Sequence, residues 1–75
     1  MSKIYRGLVN KGVLSAIHAV TEAESASEAI EKIKDAGYRF HISESVSEDG
    51  DLRSYIKSKV QSGDYIWVGE RPHWW

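Results

Sequence analysis

Residues 24–37, ESASEAIEKIKDAG, contain the clearest structural signal in the sequence. Ser25 followed by Glu28 is a capping box, in which the serine side chain accepts a hydrogen bond from a backbone N–H at the helix start. Gly37 suits the left-handed conformation that often ends a helix. These features predict a helix over residues 26–36. Its apolar residues recur at intervals of three and four, on one face: Ala26, Ala29, Ile30, Ile33 and Ala36.

Two strands are predicted before this helix. Residues 3–9, KIYRGLV, have the composition of a strand. Residues 13–21, VLSAIHAVT, are apolar on both faces, which is typical of a strand in the middle of a sheet. The intervening residues 10–12 predict a three-residue hairpin loop in which Gly12 has a positive φ.

Two further segments come directly after the helix. Residues 38–43, YRFHIS, alternate between apolar and polar side chains, which predicts a half-buried strand with its aromatic side on the helix. Residues 44–51, ESVSEDGD, are polar and predict a turn or an exposed loop.

The C-terminal third predicts one more helix and one more strand. Residues 52–62 have a helical apolar stripe, with Asp51 as a potential cap and Gly63 as a stop signal, although the weak alternation in this segment also permits a strand. Residues 64–70, DYIWVGE, predict a strand with its two aromatic residues on one face. Pro72 prevents this strand from continuing as an interior strand of the sheet.

The predicted order of elements, β-β-α-β-α-β, indicates a single α+β domain over residues 1–75. We expect a mostly antiparallel four-stranded sheet with one face covered by helix. The chain is short, and a domain of this size buries only about 60% of the surface of its unfolded state.

Composition excludes several functional classes. The chain has no cysteine, so neither disulfide bonds nor thiolate metal sites are available. Ten Lys and Arg against eleven Asp and Glu give a net charge of −1, without the basic field of a typical nucleic-acid-binding protein. No apolar run approaches the ~20 residues that span a bilayer. We therefore expect a cytoplasmic protein without a membrane partner.

The sequence has no motif for catalysis or for a bound metal. The three histidines lack the spacing of metal ligands, and the serines lack a nucleophile-elbow motif. The acidic residues around Gly50 do not match a calcium-binding loop. We therefore expect a protein that is not an enzyme and that binds no cofactor.

The end of the chain, GERPHWW over residues 69–75, is the leading candidate for a partner-binding site. Its tryptophans either fold back into the core or, together with an arginine, anchor a partner, because Trp, Tyr and Arg dominate binding hot spots. The acidic residues 44–51 are a second candidate, for a basic partner. The predicted partner-binding residues are Arg71, His73, Trp74, Trp75, Glu44, Glu48, Asp49 and Asp51.

Two alternative functions stay open. Arg39 and His41 are predicted on one face of a strand, and Arg6 could join them to bind nucleic acid beside aromatic rings. The chain could also be a structural or oligomerising subunit.

The string LSAIHAVTEAESASEAIEKIKDAGYRFHISE, residues 14–44, resembles small phage-encoded inhibitors of host machinery in its strand–helix–strand pattern. These include anti-CRISPR proteins and inhibitors of bacterial RNA polymerase. The resemblance implies a non-enzymatic inhibitor that occludes a binding surface of a host nucleoprotein machine in the host cytoplasm. The nearly neutral charge departs from the strong acidity of anti-CRISPR proteins that mimic DNA.

Overall fold

The computed structural model describes residues 2–49 and 52–75, and these form four strands and two helices. The elements are β1 Lys3–Asn10, β2 Ala16–Ala23, α1 Ala26–Asp35, β3 Ser47–Glu48, α2 Arg53–Ser62 and β4 Tyr65–Trp67. The strand order in the sheet is β3-β1-β2-β4. β1 is antiparallel to both β2 and β3, whereas β4 is parallel to β2. The predicted α+β class with a mostly antiparallel four-stranded sheet is confirmed.

The capping signals around α1 are also confirmed. The side chain of Ser25 accepts a hydrogen bond of 3.2 Å from the backbone N–H of Glu28. The carboxylate of Glu28 pairs with Lys32 one turn later, at 3.5 Å. Gly37 follows the helix with a φ of 95°, where a side chain would be strained. Local sequence alone therefore determines both ends of this helix.

Each face of the sheet is covered by its own helix, which differs from the expectation of helix on one face. The apolar side chain of Ile33 from α1 packs on β1 and β2 residues that include Val9 and Ala19. Ile56 from α2 packs with Ile4 and Val20, which alternate with those residues along the strands and lie on the opposite face. The reason is topological: α2 connects strands at opposite edges of the sheet and crosses the face that α1 leaves open.

The hairpin between β1 and β2 is longer than predicted. Asn10 pairs with Ala16, so the loop covers residues 11–15, and a backbone hydrogen bond of 3.0 Å from Lys11 to Ser15 closes it. Val13 and Leu14, which were predicted in the strand, are 99% and 98% exposed in this loop. The prediction of a positive φ at residue 12 was also wrong, because that conformation occurs only at three later glycines among the described residues. The central position of β2 is confirmed.

The predicted strand over residues 38–43 was wrong. Only Phe40 forms a β-bridge, to Val9 of β1, and Ile42 is 84% exposed. The outer edge of β1 is shared between two short segments, residues 39–41 and β3, so neither forms a long strand. β3 itself lies inside the segment that was expected to be a loop, residues 44–51.

The C-terminal predictions are largely confirmed. The helical alternative for residues 52–62 is the correct one, and α2 ends at Gly63 with a left-handed φ of 89°. Asp51, the predicted cap, lies outside the described residues, and Leu52 takes the cap position without a side-chain hydrogen bond. β4 is shorter than predicted, but its aromatic residues lie on one face, toward α2.

Gly7 permits the close approach of residues 40–46 to β1. A Cβ atom at this position would lie 2.8 Å from the Phe40 ring and 3.0 Å from the Val46 side chain. We expect Gly7→Ala to lower the free energy of unfolding by about 1–3 kcal/mol, as overpacked cores do, in urea denaturation. Gly12→Ala is the matched control, because its nearest neighbour would be an ordinary 3.6 Å away. Equal stability of the two variants would contradict this account of the fold.

Candidate functional site

The C-terminal tail, residues 69–75, folds back onto the α2 side of the sheet. Pro72 is buried, and Trp74 packs against the core cluster that includes Ile56 and Tyr65. The indole N–H of Trp74 also donates to the Glu22 carboxylate at 3.3 Å. The tail is therefore part of the folded domain.

Three indole rings meet at this place and form what we call the tryptophan cluster, Trp67, Trp74 and Trp75. The centroid of the Trp67 ring lies 5.7 Å from that of Trp74 and 5.5 Å from that of Trp75, both in edge-on geometry. Such edge-on pairs are favourable beyond the apolar area that they bury. All three side chains are half-buried, so each ring has one part in the domain and one part in solvent.

Cationic side chains of α2 hold the end of the tail. The Lys57 ammonium donates a hydrogen bond of 2.7 Å to the backbone oxygen of Trp75. The Arg53 guanidinium carbon lies 5.7 Å from the centroid of the Trp74 ring, within the range of a cation–π interaction. These contacts fix the tryptophan cluster against the helix.

A shallow groove of about 390 Å³ runs beside the tryptophan cluster. Arg71 is exposed at this groove and forms no ion pair with any residue in the described ranges. His73 is exposed and does not line the groove. The groove combines aliphatic and aromatic walls with one available cation. Its lining residues are Val60, Ile66, Trp67, Gly69, Arg71 and Trp75.

Three of the predicted acidic residues, those that the structure describes, lie elsewhere and are paired. Glu44 contacts Lys34 at 3.2 Å, and Glu48 on β3 contacts Lys3 at 3.6 Å. β3 is at one edge of the sheet, and the tail follows the strand at the other edge.

Asp49 completes the described part of this acidic segment and contacts Arg6 at 3.7 Å. Asp51 lies outside the described residues. Each described carboxylate of the acidic segment therefore has a cation nearby. The described part of this segment and the tail also lie at opposite edges of the sheet, so they do not form one surface.

The three residues predicted for nucleic-acid binding do not form one patch. Arg6 lies under α2, where it donates a hydrogen bond of 2.8 Å to the Tyr65 hydroxyl. Arg39 is exposed and lies beside the other end of β1, where its carbonyl accepts from Asn10. His41 contacts the side chain of Asn10. The helices on both faces of the sheet also leave no wide sheet surface for stacked bases.

A polar cluster around His18 lies on the same face as the tail. The His18 ring meets Tyr65 edge-on at 5.6 Å, and its Nδ1 atom is buried without a hydrogen-bond partner among the described residues. Burial lowers the pKa of His18, the positive charge of Arg6 lowers it further, and Asp49 offsets part of this shift. Of the two predicted strand histidines, His18 lies on β2 and is half-buried, whereas His41 is exposed.

Two features of the surface were not predicted from the sequence. Val60 of α2 and Ile66 of β4 line the groove, because β4 is an edge strand. Val13 and Leu14 form an exposed apolar tip on the hairpin loop. In the sequence these four apolar positions resemble ordinary core residues. Only the pairing of the strands, which depends on residues far apart in the chain, distinguishes them.

Comparison of the chain with protein-family models, with curated proteins and with solved structures finds no match. Within residues 2–49 and 52–75, no group of three or more His, Asp or Glu side chains is arranged to hold a metal ion. Neither of the two described helices has the length and apolar character needed to cross a membrane.

The lowered pKa of His18 predicts a pH-dependent stability. The unfolded chain, with an ordinary histidine pKa near 6.5, binds this proton more readily than the folded protein does. The free energy of unfolding should therefore decrease as the pH falls from above 6.5 through the lowered folded-state pKa. Urea denaturation between pH 7.5 and about pH 5 measures this change.

The matched variants for this measurement are His18→Gln and His41→Gln. We expect His18→Gln to flatten the decrease in stability on acidification and His41→Gln to keep it, because His41 is exposed. If the two variants show the same pH dependence, His18 is not the responsible group.

Proposed function

We propose that this protein is a non-enzymatic protein–protein interaction module that binds its partner through the groove beside the tryptophan cluster. The observation that carries the proposal is the tryptophan cluster itself. Its three rings are half-buried, are fixed by α2 and lie next to Arg71, which has no ion-pair partner in residues 2–49 and 52–75. Tryptophan and arginine are the residues most enriched in binding hot spots.

Rigidity of the tail supports this proposal. A side chain that is ordered before binding loses less conformational entropy in the complex, which raises affinity. Trp74 packs against the core and supports its neighbours, whereas Trp75 and Arg71 line the groove. We therefore assign partner contact to Trp75 and Arg71 and a supporting role to Trp74.

We further propose that binding inhibits the partner by occlusion, in the manner of the small phage-encoded inhibitors that residues 14–44 resemble. The partner would then be a host nucleoprotein machine in the cytoplasm, and inhibition would require no turnover. The chain has a surface of 4933 Å², so an ordinary interface of roughly 800 Å² per partner would take about one sixth of it. Such a contact is large enough to cover a functional surface of the partner.

The alternative functions have less support from the geometry. Arg6 is already engaged with Tyr65 and Asp49, so a phosphate would have to compete with both contacts. An oligomerising subunit would bury the groove against a second copy, which light scattering detects as a dimer or a larger assembly.

Single substitutions in the groove test the proposal. We expect Trp75→Ala and Arg71→Ala each to weaken partner binding by about tenfold or more, the range of hot-spot residues. Arg39→Ala is the matched control, since it removes an exposed arginine at a distant place in the fold. Affinity capture from host lysate with quantitative mass spectrometry identifies the partner, and titration with the purified partner gives the dissociation constants.

Circular dichroism of each variant verifies that the fold is retained. Retained binding by both groove variants would contradict the proposed site. Loss of binding in Arg39→Ala, together with a gel shift of oligonucleotides at low salt, would favour the nucleic-acid alternative. Inhibition that is complete at one equivalent of protein is expected for occlusion, whereas inhibition at catalytic amounts would exclude it.

A further inference from the structure

The outer edge of β4 has backbone groups available for another strand. The backbone N–H of Val68 donates to the carbonyl of Val20 at 2.8 Å, and the register pairs Ile66 with Ala19. Even-numbered residues of this segment therefore bond to β2. In a strand, N–H and C=O groups of successive residues point to opposite sides. Those of Tyr65 and Trp67 consequently point away from β2, toward the edge of the sheet.

The groove lies along this same edge. Ile66 belongs to the α1 face of the sheet and Trp67 to the α2 face, yet both line the groove. A cavity that touches both faces of an edge strand runs past its outer side. An occupant of the groove is thus positioned to reach the outward backbone groups of Tyr65 and Trp67.

The opposite edge of the sheet has a different character. The outer side of β1 is already paired, with Phe40 near one end and with β3 near the other. β3 has only two residues, and Glu48 on it forms an ion pair with Lys3. Short strands and charged side chains are the usual protection of a sheet edge. Among the described strands, β4 is therefore the one with an apolar groove beside an open edge.

We propose that the groove binds an extended peptide segment of the partner, which pairs with β4 as a fifth strand. This inference rests on the proposed function and specifies how the partner is recognised. Main-chain hydrogen bonds give such strand addition its affinity, and pockets for alternate side chains give it specificity. The outward groups of Tyr65 and Trp67 are two residues apart, roughly 6.6 Å along the strand, which matches the repeat of any extended peptide.

The side chains of the groove define the chemistry of this peptide. An aliphatic or aromatic residue would fill the space between Val60 and Trp75, where apolar surface is available on both sides. An acidic residue would pair with Arg71, whose planar guanidinium binds carboxylates through two parallel hydrogen bonds. Within the strand Tyr65–Trp67 a second copy of the chain has no acidic residue, and its adjacent Asp64 is already paired with Lys59 at 3.6 Å, which favours a partner peptide as the occupant.

A phage-displayed library of random linear dodecapeptides is the probe for this proposal. We expect selection on the intact protein to enrich peptides with alternating apolar residues and at least one acidic residue. The dissociation constants of the synthetic peptides follow from fluorescence anisotropy. In NMR spectra, the amide resonances of Tyr65 and Trp67 should shift and become protected from hydrogen exchange when the peptide binds.

Chemical synthesis of the chain provides the decisive variant. Methylation of the Trp67 amide nitrogen removes an outward donor and leaves every hydrogen bond to β2 in place. We expect it to weaken peptide binding by about tenfold or more, since one hydrogen bond is lost and the methyl group obstructs the edge. Methylation of the Val13 amide, in the exposed hairpin loop, is the matched control and should leave the affinity unchanged.

The possible outcomes separate this inference from the proposed function. If Trp75→Ala weakens binding but methylation of Trp67 does not, the tryptophan surface binds its partner without strand addition. Failure to enrich any peptide, or enriched peptides that bind away from β4, would overturn the inference as well. A dimer in light scattering that is lost on methylation of Trp67 would assign the edge to a second copy instead.

Discussion

The burial of β2 on both of its faces is the constraint on which the rest of the structure depends. Ala19 and Val20 are adjacent in sequence, and both are completely buried, one on each side of the sheet. A chain of 75 residues has little material with which to cover two faces. It does so with one helix on each, and the crossing of α2 from one sheet edge to the other follows from this need. The tail then packs on the α2 side, next to β4, the strand that follows α2 in the chain.

The same contacts in the tail stabilise the domain and shape the proposed binding groove. Trp74 adds apolar surface to the core beneath α2, and Lys57 holds the backbone oxygen of the neighbouring Trp75. Contacts that stabilise the domain therefore also present Trp75 and Arg71 to the groove. In a domain of this size, where each buried ring contributes a few kcal/mol, the two roles are difficult to separate by deletion. Single substitutions at the solvent side of the cluster separate them better.

The sequence predicted those elements whose signals are local. The ends of α1 depend on Ser25 and Gly37, which lie within a few residues of the helix, and the end of α2 depends on Gly63 in the same way. The strand over residues 38–43 was wrong because alternation reports only which side chains are apolar. A strand also needs a free sheet edge to pair with. The outer edge of β1 pairs with two short segments, residues 39–41 and β3.

The candidate site was predicted only in part, for the same physical reason. The composition of residues 69–75 identified Trp75 and Arg71 as candidates, but the folding back of the tail depends on contacts between distant residues. Trp74 and Glu22, for example, are 52 positions apart. The groove also depends on the position of β4 at the edge of the sheet. Parallel pairing with β2 places β4 there. No pattern within a single segment contains that information.

The long hairpin loop has a practical consequence for spectroscopy. Val13 is almost fully exposed, and the chain contains no cysteine. A Val13→Cys substitution therefore introduces a unique thiol, at a position that belongs to neither hydrophobic core nor groove. A dye attached there would accept excitation energy from the indole rings of the tryptophan cluster, and the transfer efficiency would report on the distance between them. The exposed loop that was wrongly predicted as part of a strand is therefore a suitable site for labelling.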